Sequence, residues 1–386
     1  MALTPLFPLT AFDAPPEAIT HVCAGGLALP LKSQHAALTR HMAHKTAGHK
    51  GHAEQDRELD AVRNLAARSW GVPVDDIGFV SSVAEGVSIL LESRQWEKGD
   101  NVFVGKDDFS SVIAPFAVRA QRLGRSVTPT VIYSSSSDDE EAELEKKVNS
   151  KTRVIAVSYV SYLNGARVDL TAYRRAADRV GAILLVDFTQ AAGYLPIDAS
   201  VADFAFSSCF KFLLGTTGTA IAFWNRARQP DWKPATAGCF SLTLRQALLN
   251  WEREEPVETR DSALCFSRGN PGHVSIYILR EALEFLSQWE AAEIEEHVLT
   301  LTTELLRRLD EEGIRCSTPR EKSRHGANVT IDCVGASEIV NSLYTAGVYA
   351  WNGTGRVRFS FHGYNCMKDV DRIMEVFPGL WREWNA

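Results

Sequence analysis

The chain has 386 residues, 41 Lys and Arg against 48 Asp and Glu, and a formal charge of −7 at pH 7. That length predicts two domains or one large α/β domain, and 45% hydrophobic residues can bury a sizeable core. The acidic balance argues against nucleic acid or an anionic membrane surface as a partner, and no apolar run is long enough to span a bilayer.

The N-terminus, MALTPLFPLTAF, has no basic segment ahead of an apolar core, so no secretory leader is expected. Cysteines 23, 209, 239, 265, 316, 333 and 366 are scattered, with no C-x-x-C pair. They read as reduced thiols of a cytoplasmic protein, mostly buried as small hydrophobes.

Residues 1–20 are Pro-rich and read as an irregular arm. His21 to Pro30, HVCAGGLALP, combines apolar residues with the Gly25-Gly26 pair. Residues 31–69 read as helical, broken around Gly48 to Gly51. His35, His41, His44, His49 and His52 cluster there. His41 and His44 would share a helix face, as a metal pair does, but no Cys or carboxylate completes a metal motif. No metal is expected, and these histidines read as solvent-exposed or substrate-entrance groups.

Gly78 to Val80 reads as a strand that runs into Ser81-Ser82-Val83-Ala84-Glu85-Gly86 and then an apolar helix. A strand, small residues and a helix start make an anion site, because free backbone N–H groups and the helix dipole point at the ligand. A plain Ser-capped helix has the same pattern. Asn101 to Val104 is the next strand, followed by Asp107-Asp108-Phe109-Ser110-Ser111 and a helix over 112–122. Ser134 to Ser137 with Asp138 to Glu141 reads as a polar turn entering an acidic helix start, which suits the helix dipole. Val154 to Val157 is a buried strand leading into Ser158-Tyr159-Val160-Ser161-Tyr162-Leu163-Asn164-Gly165, and a helix follows over 169–181. Short apolar strands alternating with helices predict a parallel, doubly wound sheet.

The stretch 183–224 organises the rest. Three apolar runs, Ile183 to Val186, Asp203 to Phe206 and Thr219 to Trp224, read as buried strands. The first stops at Asp187; the second stops at Ser207-Ser208, with Lys211 just beyond. Polar residues where such strands stop face the ligand cleft of an α/β protein. A carboxylate there could hold a pyridinium nitrogen protonated, and a lysine could form a Schiff base with an aldehyde. Together they are what pyridoxal phosphate requires. On spacing alone a structural Asp–Lys ion pair is the commoner explanation.

Asp261 to Gly272 reads as a polar loop containing Arg268-Gly269-Asn270-Pro271. Helices are expected near 273–290, 292–312, 336–346 and 368–376, and strands at Ile314 to Ser317 and Asn328 to Cys333. This is a small α+β domain. Arg356-Val357-Arg358-Phe359-Ser360 precedes Phe361-His362-Gly363-Tyr364-Asn365.

Asp187-x-x-Gln190, then Ser208-x-x-Lys211 with a glycine turn and a strand, resembles the class V aminotransferase family of fold-type I pyridoxal phosphate enzymes. That family includes cysteine desulfurases, isopenicillin N epimerase-like proteins and kynureninase. The resemblance implies Lys211 as the Schiff-base lysine and Asp187 as partner of the ring nitrogen. It implies Gln190 against the ring 3-oxygen and Ser208 on the phosphate, with the backbone amides of Val83 and Ala84 also facing it. Asp108-Phe109 resembles the E-F-x-S form of epimerase-like members, which makes Phe109 the residue stacked on the ring. Asn270 stands where the family has a threonine that reaches the phosphate of the neighbouring subunit. Arg358 matches the arginine that binds the substrate α-carboxylate, and Tyr162 and Asn164 match substrate-facing positions.

The resemblance implies a large pyridoxal phosphate domain over 18–250, and a small domain formed by 251–386 with the arm 1–17. It implies a homodimer with shared active sites and an amino acid or amine substrate. The expected activity is class V transamination, with an epimerase or a carbon–sulfur or carbon–carbon lyase as the alternative. Cysteine desulfurase activity is not expected. The stretch Thr345 to Gly355, where those enzymes keep a mobile cysteine, has none, and Phe210 replaces the histidine they carry before the lysine.

Overall fold

The computed structural model describes residues 3–13, 19–123, 130–133, 140–243 and 257–385. The polar turn expected from Ser134 onward lies outside the described residues; the helix it was to enter is present as Glu140–Lys147.

A seven-stranded sheet forms the centre. Its strands are β2 (Ile77–Val80), β3 (Asn101–Val104), β4 (Thr130–Tyr133), β5 (Thr152–Ser158), β6 (Ile183–Asp187), β7 (Phe204–Ser208) and β8 (Ala220–Trp224). Their order is β2-β8-β7-β6-β5-β3-β4. β8 alone runs against the others, pairing antiparallel with both β7 and β2. The reason is chain length. A parallel return needs a crossover of about a dozen or more residues, and the link from Ser208 to Ala220 is taken up by the tight lysine turn.

Helices cover both faces, so the strands are buried on both sides and read as continuous apolar runs. Leu184, Val186, Ala205, Ile221 and Phe223 face one core. Leu185, Phe204, Phe206, Ala222 and Trp224 face the other. The N-terminal helices are α1 (Ser33–Thr46) and α2 (His49–Trp70), and α3 (Val83–Glu92) and α4 (Ser110–Leu123) follow. Next come α5 (Glu140–Lys147), α6 (Leu170–Val180), α7 (His273–Leu286) and α8 (Ala291–Glu311). The last helices are α9 (Ala336–Thr345) and α10 (Met367–Asn385).

β9 (Asn328–Asp332), β11 (Trp351–Gly353) and β12 (Arg356–Ser360) form an antiparallel sheet in the order β11-β12-β9. β1 (Thr20–His21) pairs in parallel with β10 (Val348–Tyr349). This brings the segment after His21 against the end of β12, where Cys23 bridges Ser360.

Two expectations need correction. Ile314 to Ser317 is not a strand. Gly313 turns the chain out of α8 with φ 73°, Ile314 N–H bonds back to the Leu309 carbonyl, and Ser317 N–H makes one bond to the Thr330 carbonyl. One ladder bond does not build a strand. His41 is also not solvent-exposed: it is 7% exposed, with its ring 5.1 Å from the Tyr277 ring, while His44 Nδ1 lies 2.6 Å from the Tyr277 hydroxyl.

Candidate active site

Parallel strands end together, so the polar residues that terminate β5, β6 and β7 meet at one edge. Ser158 and Asp187 are direct register partners, and Ser208 ends the next strand. A cavity of about 150 Å³ opens there. Ser82, Val83, Phe109, Tyr162, Asp187, Gln190, Ser208 and Lys211 all line it.

Lys211 is buried, and its pKa is lowered to about 8. Loss of solvent is the main cause, the Arg358 charge adds to it, and the Asp187 charge opposes it. No direct ion pair joins Lys211 to Asp187 among the described residues, which sets aside the plain strand-end salt bridge. The Lys211 ammonium sits instead 5.2 Å from the Phe109 ring and 5.6 Å from the Phe210 ring. The turn that follows holds Leu214 at φ 57°, a left-handed conformation for a branched side chain. Two bonds fix it: Leu214 N–H to the Lys211 carbonyl at 2.9 Å, and Gln34 Nε2 to the Leu214 carbonyl at 2.6 Å.

Asp187 is buried, and burial pushes its carboxyl up. Thr189 N–H donates to its Oδ1 at 2.9 Å, and that bond and Lys211 pull it back down. A second, half-buried carboxyl, Asp108, lies near it; loss of solvent pushes its pKa up to about 6, with the Asp187 charge adding to the rise. Asp108 accepts from Ser158 N–H and Gly105 N–H, both at 3.0 Å. These bonds pin the turn that aims Phe109. Phe109 itself is 39% exposed and meets Tyr162 edge-on at 5.0 Å.

α3 starts beside the cavity. Ser82 caps it by accepting from Glu85 N–H at 3.2 Å, and the Glu85 carboxylate returns to Ser81 N–H at 2.6 Å. Val83 and Ala84 supply first-turn amides, the groups a helix start leaves without intrahelical acceptors. Val83 lines the cavity. Gln190 also lines it, but its amide is already engaged: Nε2 donates to the Gly25 carbonyl at 2.9 Å and Oε1 accepts from Asn328 Nδ2 at 3.1 Å.

Arg358, in the middle of β12, is 2% exposed. Its Nη1 donates to the Tyr162 carbonyl at 2.7 Å, and its Nε has no partner. Burial lowers its pKa to about 10, with Cys23 and Tyr162 offsetting part of the fall. No carboxylate pairs with it among the described residues.

Four candidates are not among the residues that line the cavity: Ala84, Arg358, Asn164 and Asn270. Asn164 Oδ1 accepts from Ala166 N–H at 3.0 Å and so caps the turn. Asn270 lines a separate space of about 140 Å³ with Ser81, Glu85 and Arg268. Three residues were missed. Thr189 accepts Ser208 N–H at 2.9 Å and also anchors Asp187, so it couples two strand ends. Ser111 lines the cavity. Cys23 lies close enough to Arg358 for the two charges to interact, although burial raises its thiol pKa overall. The D-F-T-Q run offered a local signal for Thr189; no local signal exists for Cys23.

A covalent lysine anchor, a buried carboxylate, hydroxyls and first-turn amides, and an aromatic ring over the lysine make a donor set that fits pyridoxal 5′-phosphate. The mainly parallel sheet with this set at its carboxyl edge defines a fold-type I pyridoxal phosphate enzyme. The family model for aminotransferase class-V matches residues 32–373, and the chain belongs to that family. Pyridoxal phosphate is its cofactor. A probable cysteine desulfurase of Aeropyrum pernix is 26% identical over 360 residues, 86% of each chain. The uncharacterized aminotransferase YcbU of Bacillus subtilis is 24% identical over 327 residues, 83% of this chain and 84% of that one. Among solved structures, a C-DES mutant with glycine covalently linked to the PLP cofactor superposes with a TM-score of 0.86 at 18% identity, covering 96% of this chain and 99% of that one.

Proposed function

We propose that this enzyme is an aminotransferase acting on an amino acid or amine. The observation behind the proposal is the placing of Lys211 and Asp187, both buried, in one small cavity, with buried Arg358 near enough for its charge to lower the Lys211 pKa and, among the described residues, no direct ion pair between the three. Pyridoxal phosphate supplies an aldehyde that captures the substrate amine and a ring that stores the electron pair of a broken bond. Lys211 Nζ, its pKa lowered to about 8, takes and returns the substrate α-proton. Asp187 holds the proton on the ring nitrogen, in a setting where Thr189 fixes the carboxylate plane. Phe109 would cover one ring face, and Ser82, Ser208 and the first-turn amides of α3 would hold the phosphate. Arg358 orients the substrate by its α-carboxylate.

The test is a panel of amino acids, each with a 2-oxo acid, followed by cofactor absorbance and product analysis. Amino-group transfer to the 2-oxo acid is the expected result. Racemised substrate, or pyruvate and sulfide without transfer, would replace this reading.

A second reading, a carbon–sulfur lyase, draws on the name of the Aeropyrum relative and on Cys23 beside Arg358. Against it, Cys209 is fully buried with its pKa pushed up to about 12, and Thr345 to Gly355 contains no thiol. Incubation with cysteine and a reductant separates the two. Sulfide and alanine released by the wild type and lost in Cys23→Ser favour the second reading.

We further propose a homodimer in which Asn270 serves the neighbouring site, since its loop lines a space apart from Lys211. Sedimentation that finds a fully active monomer overturns that proposal.

A further inference from the structure

Arg358 has one hydrogen bond holding it among the described residues, from Nη1 to the Tyr162 carbonyl. A long, buried guanidinium held at one nitrogen could swing about its own axis. What stands against it is Trp351. The two residues are direct partners in the β11–β12 ladder, and the Arg358 Cζ lies 4.2 Å from the centre of the indole ring. The indole is itself wedged. A Cβ on Gly353 would lie 2.2 Å from it, and a Cβ on Gly26, in the turn after Cys23, would lie 3.4 Å from Trp351 Cδ1.

We infer that Trp351 is the positioning residue of the carboxylate site: its indole clamps one face of the Arg358 guanidinium and presents the unpartnered Nε edge to the substrate carboxylate. The inference rests on reading Arg358 as the carboxylate-binding residue. The negative face of the indole stabilises the cation in a place water has left. It also blocks approach from that face and favours a carboxylate in the plane of the guanidinium, where two parallel hydrogen bonds are available. Nη1 is already turned towards Tyr162, which leaves the side carrying Nε for the ligand. The stretch where relatives of the desulfurase type keep a reactive thiol thus holds, in this chain, an aromatic clamp.

The experiment measures propionate binding to the cofactor-loaded protein by ligand-observed NMR titration. The proteins are the wild type, Trp351→Phe, Trp351→Leu and Arg358→Gln. Indole gives the strongest cation–π contact, a phenyl ring a weaker one, and leucine keeps bulk with no aromatic face. We expect Trp351→Leu to bind propionate roughly tenfold more weakly, Trp351→Phe about two- to fourfold more weakly, and Arg358→Gln to lose binding. In turnover, Trp351→Leu should raise KM for an amino acid but not for the matching amine without a carboxylate, a split that general misfolding would not produce. Should only Trp351→Phe fold, the two- to fourfold weakening supports the clamp, and affinity equal to wild type overturns it. Wild-type affinity in Trp351→Leu, with binding lost in Arg358→Gln, overturns the clamp and leaves the reading of Arg358 intact. Wild-type affinity in Arg358→Gln overturns both.

Discussion

His362 and Phe212 tie the two halves of the site together: His362 Nε2 donates to the Phe212 carbonyl over 2.8 Å. Phe212 follows Lys211 directly, and His362 stands four residues after Arg358. Gly363 N–H donates to His362 Nδ1 at 2.9 Å, so the proton must sit on Nε2 and the ring must be neutral. Burial enforces this by lowering the pKa to about 4.

That pKa makes the fold acid-sensitive. An unfolded histidine protonates near 6.5, while folded His362 does not until about 4. The unfolded chain therefore binds more protons across that window, and stability falls as pH drops from 6.5 towards 4. His21, also lowered to about 4 by burial, acts in the same direction. For His362 the loss is up to about 3 kcal/mol. Urea unfolding at several pH values should show a shallower acid slope in His362→Gln, which keeps a donor for Phe212 but does not titrate. An unchanged slope would be the contrary result.

Lys211, read as the Schiff-base lysine, should set the pH at which the protein loads its cofactor. Only the neutral amine attacks an aldehyde, and the amine is half neutral near pH 8 rather than 10.5. The loading rate, followed by absorbance, should rise through about pH 8 and level off above it. Borohydride should then leave the cofactor covalently on Lys211, and Lys211→Ala should lose roughly 10²–10⁴-fold in turnover. An adduct on another lysine would overturn the assignment.

Phe109 is exposed enough that the fold gains little from it, so its contribution should appear with the cofactor bound. Phe109→Ala should weaken cofactor retention by about tenfold, the order of one aromatic stacking contact, with the urea midpoint nearly unchanged. Dialysis followed by fluorescence of the released cofactor measures the first quantity. A large stability loss with normal retention would make Phe109 a core residue instead.

Gly193 is the backbone support of the lysine turn. Its φ is 109°, and a Cβ there would lie 2.1 Å from the Phe212 carbonyl oxygen, the acceptor of the His362 bond. Gly193→Ala should cost about 2 kcal/mol or more, because backbone strain and a backbone clash add. Thermal unfolding measures the loss, and cofactor release should quicken because the lysine turn is displaced. A wild-type melting temperature would show that the turn can yield.

The central sheet was readable from the chain because strands covered on both faces must be apolar without interruption, and such runs stop visibly. Ile183 to Val186 stops at Asp187, and that break locates both the strand end and the cleft. That Lys211, Ser208 and Phe109 line this cleft was readable because each stands at or shortly after a strand end. The turn-capping bond of Asn164 was not readable, because an amide that caps a turn and one that faces a ligand look alike in sequence.

The order of apolar runs and polar stops was enough by itself to determine the class of sheet and its carboxyl-edge cleft, and to place Asp187 and Lys211 at that edge. Burial periodicity is local, and each strand records its own. The tertiary structure alone decided which distant groups share that cleft. Cys23 meets Arg358, His362 holds Phe212, and Asp108 grips Ser158 N–H. It also decided that Trp351 lies over Arg358. Those meetings follow from strand register and from how the β9–β11–β12 sheet seats beside the lysine turn, and no pattern within a single element reports them.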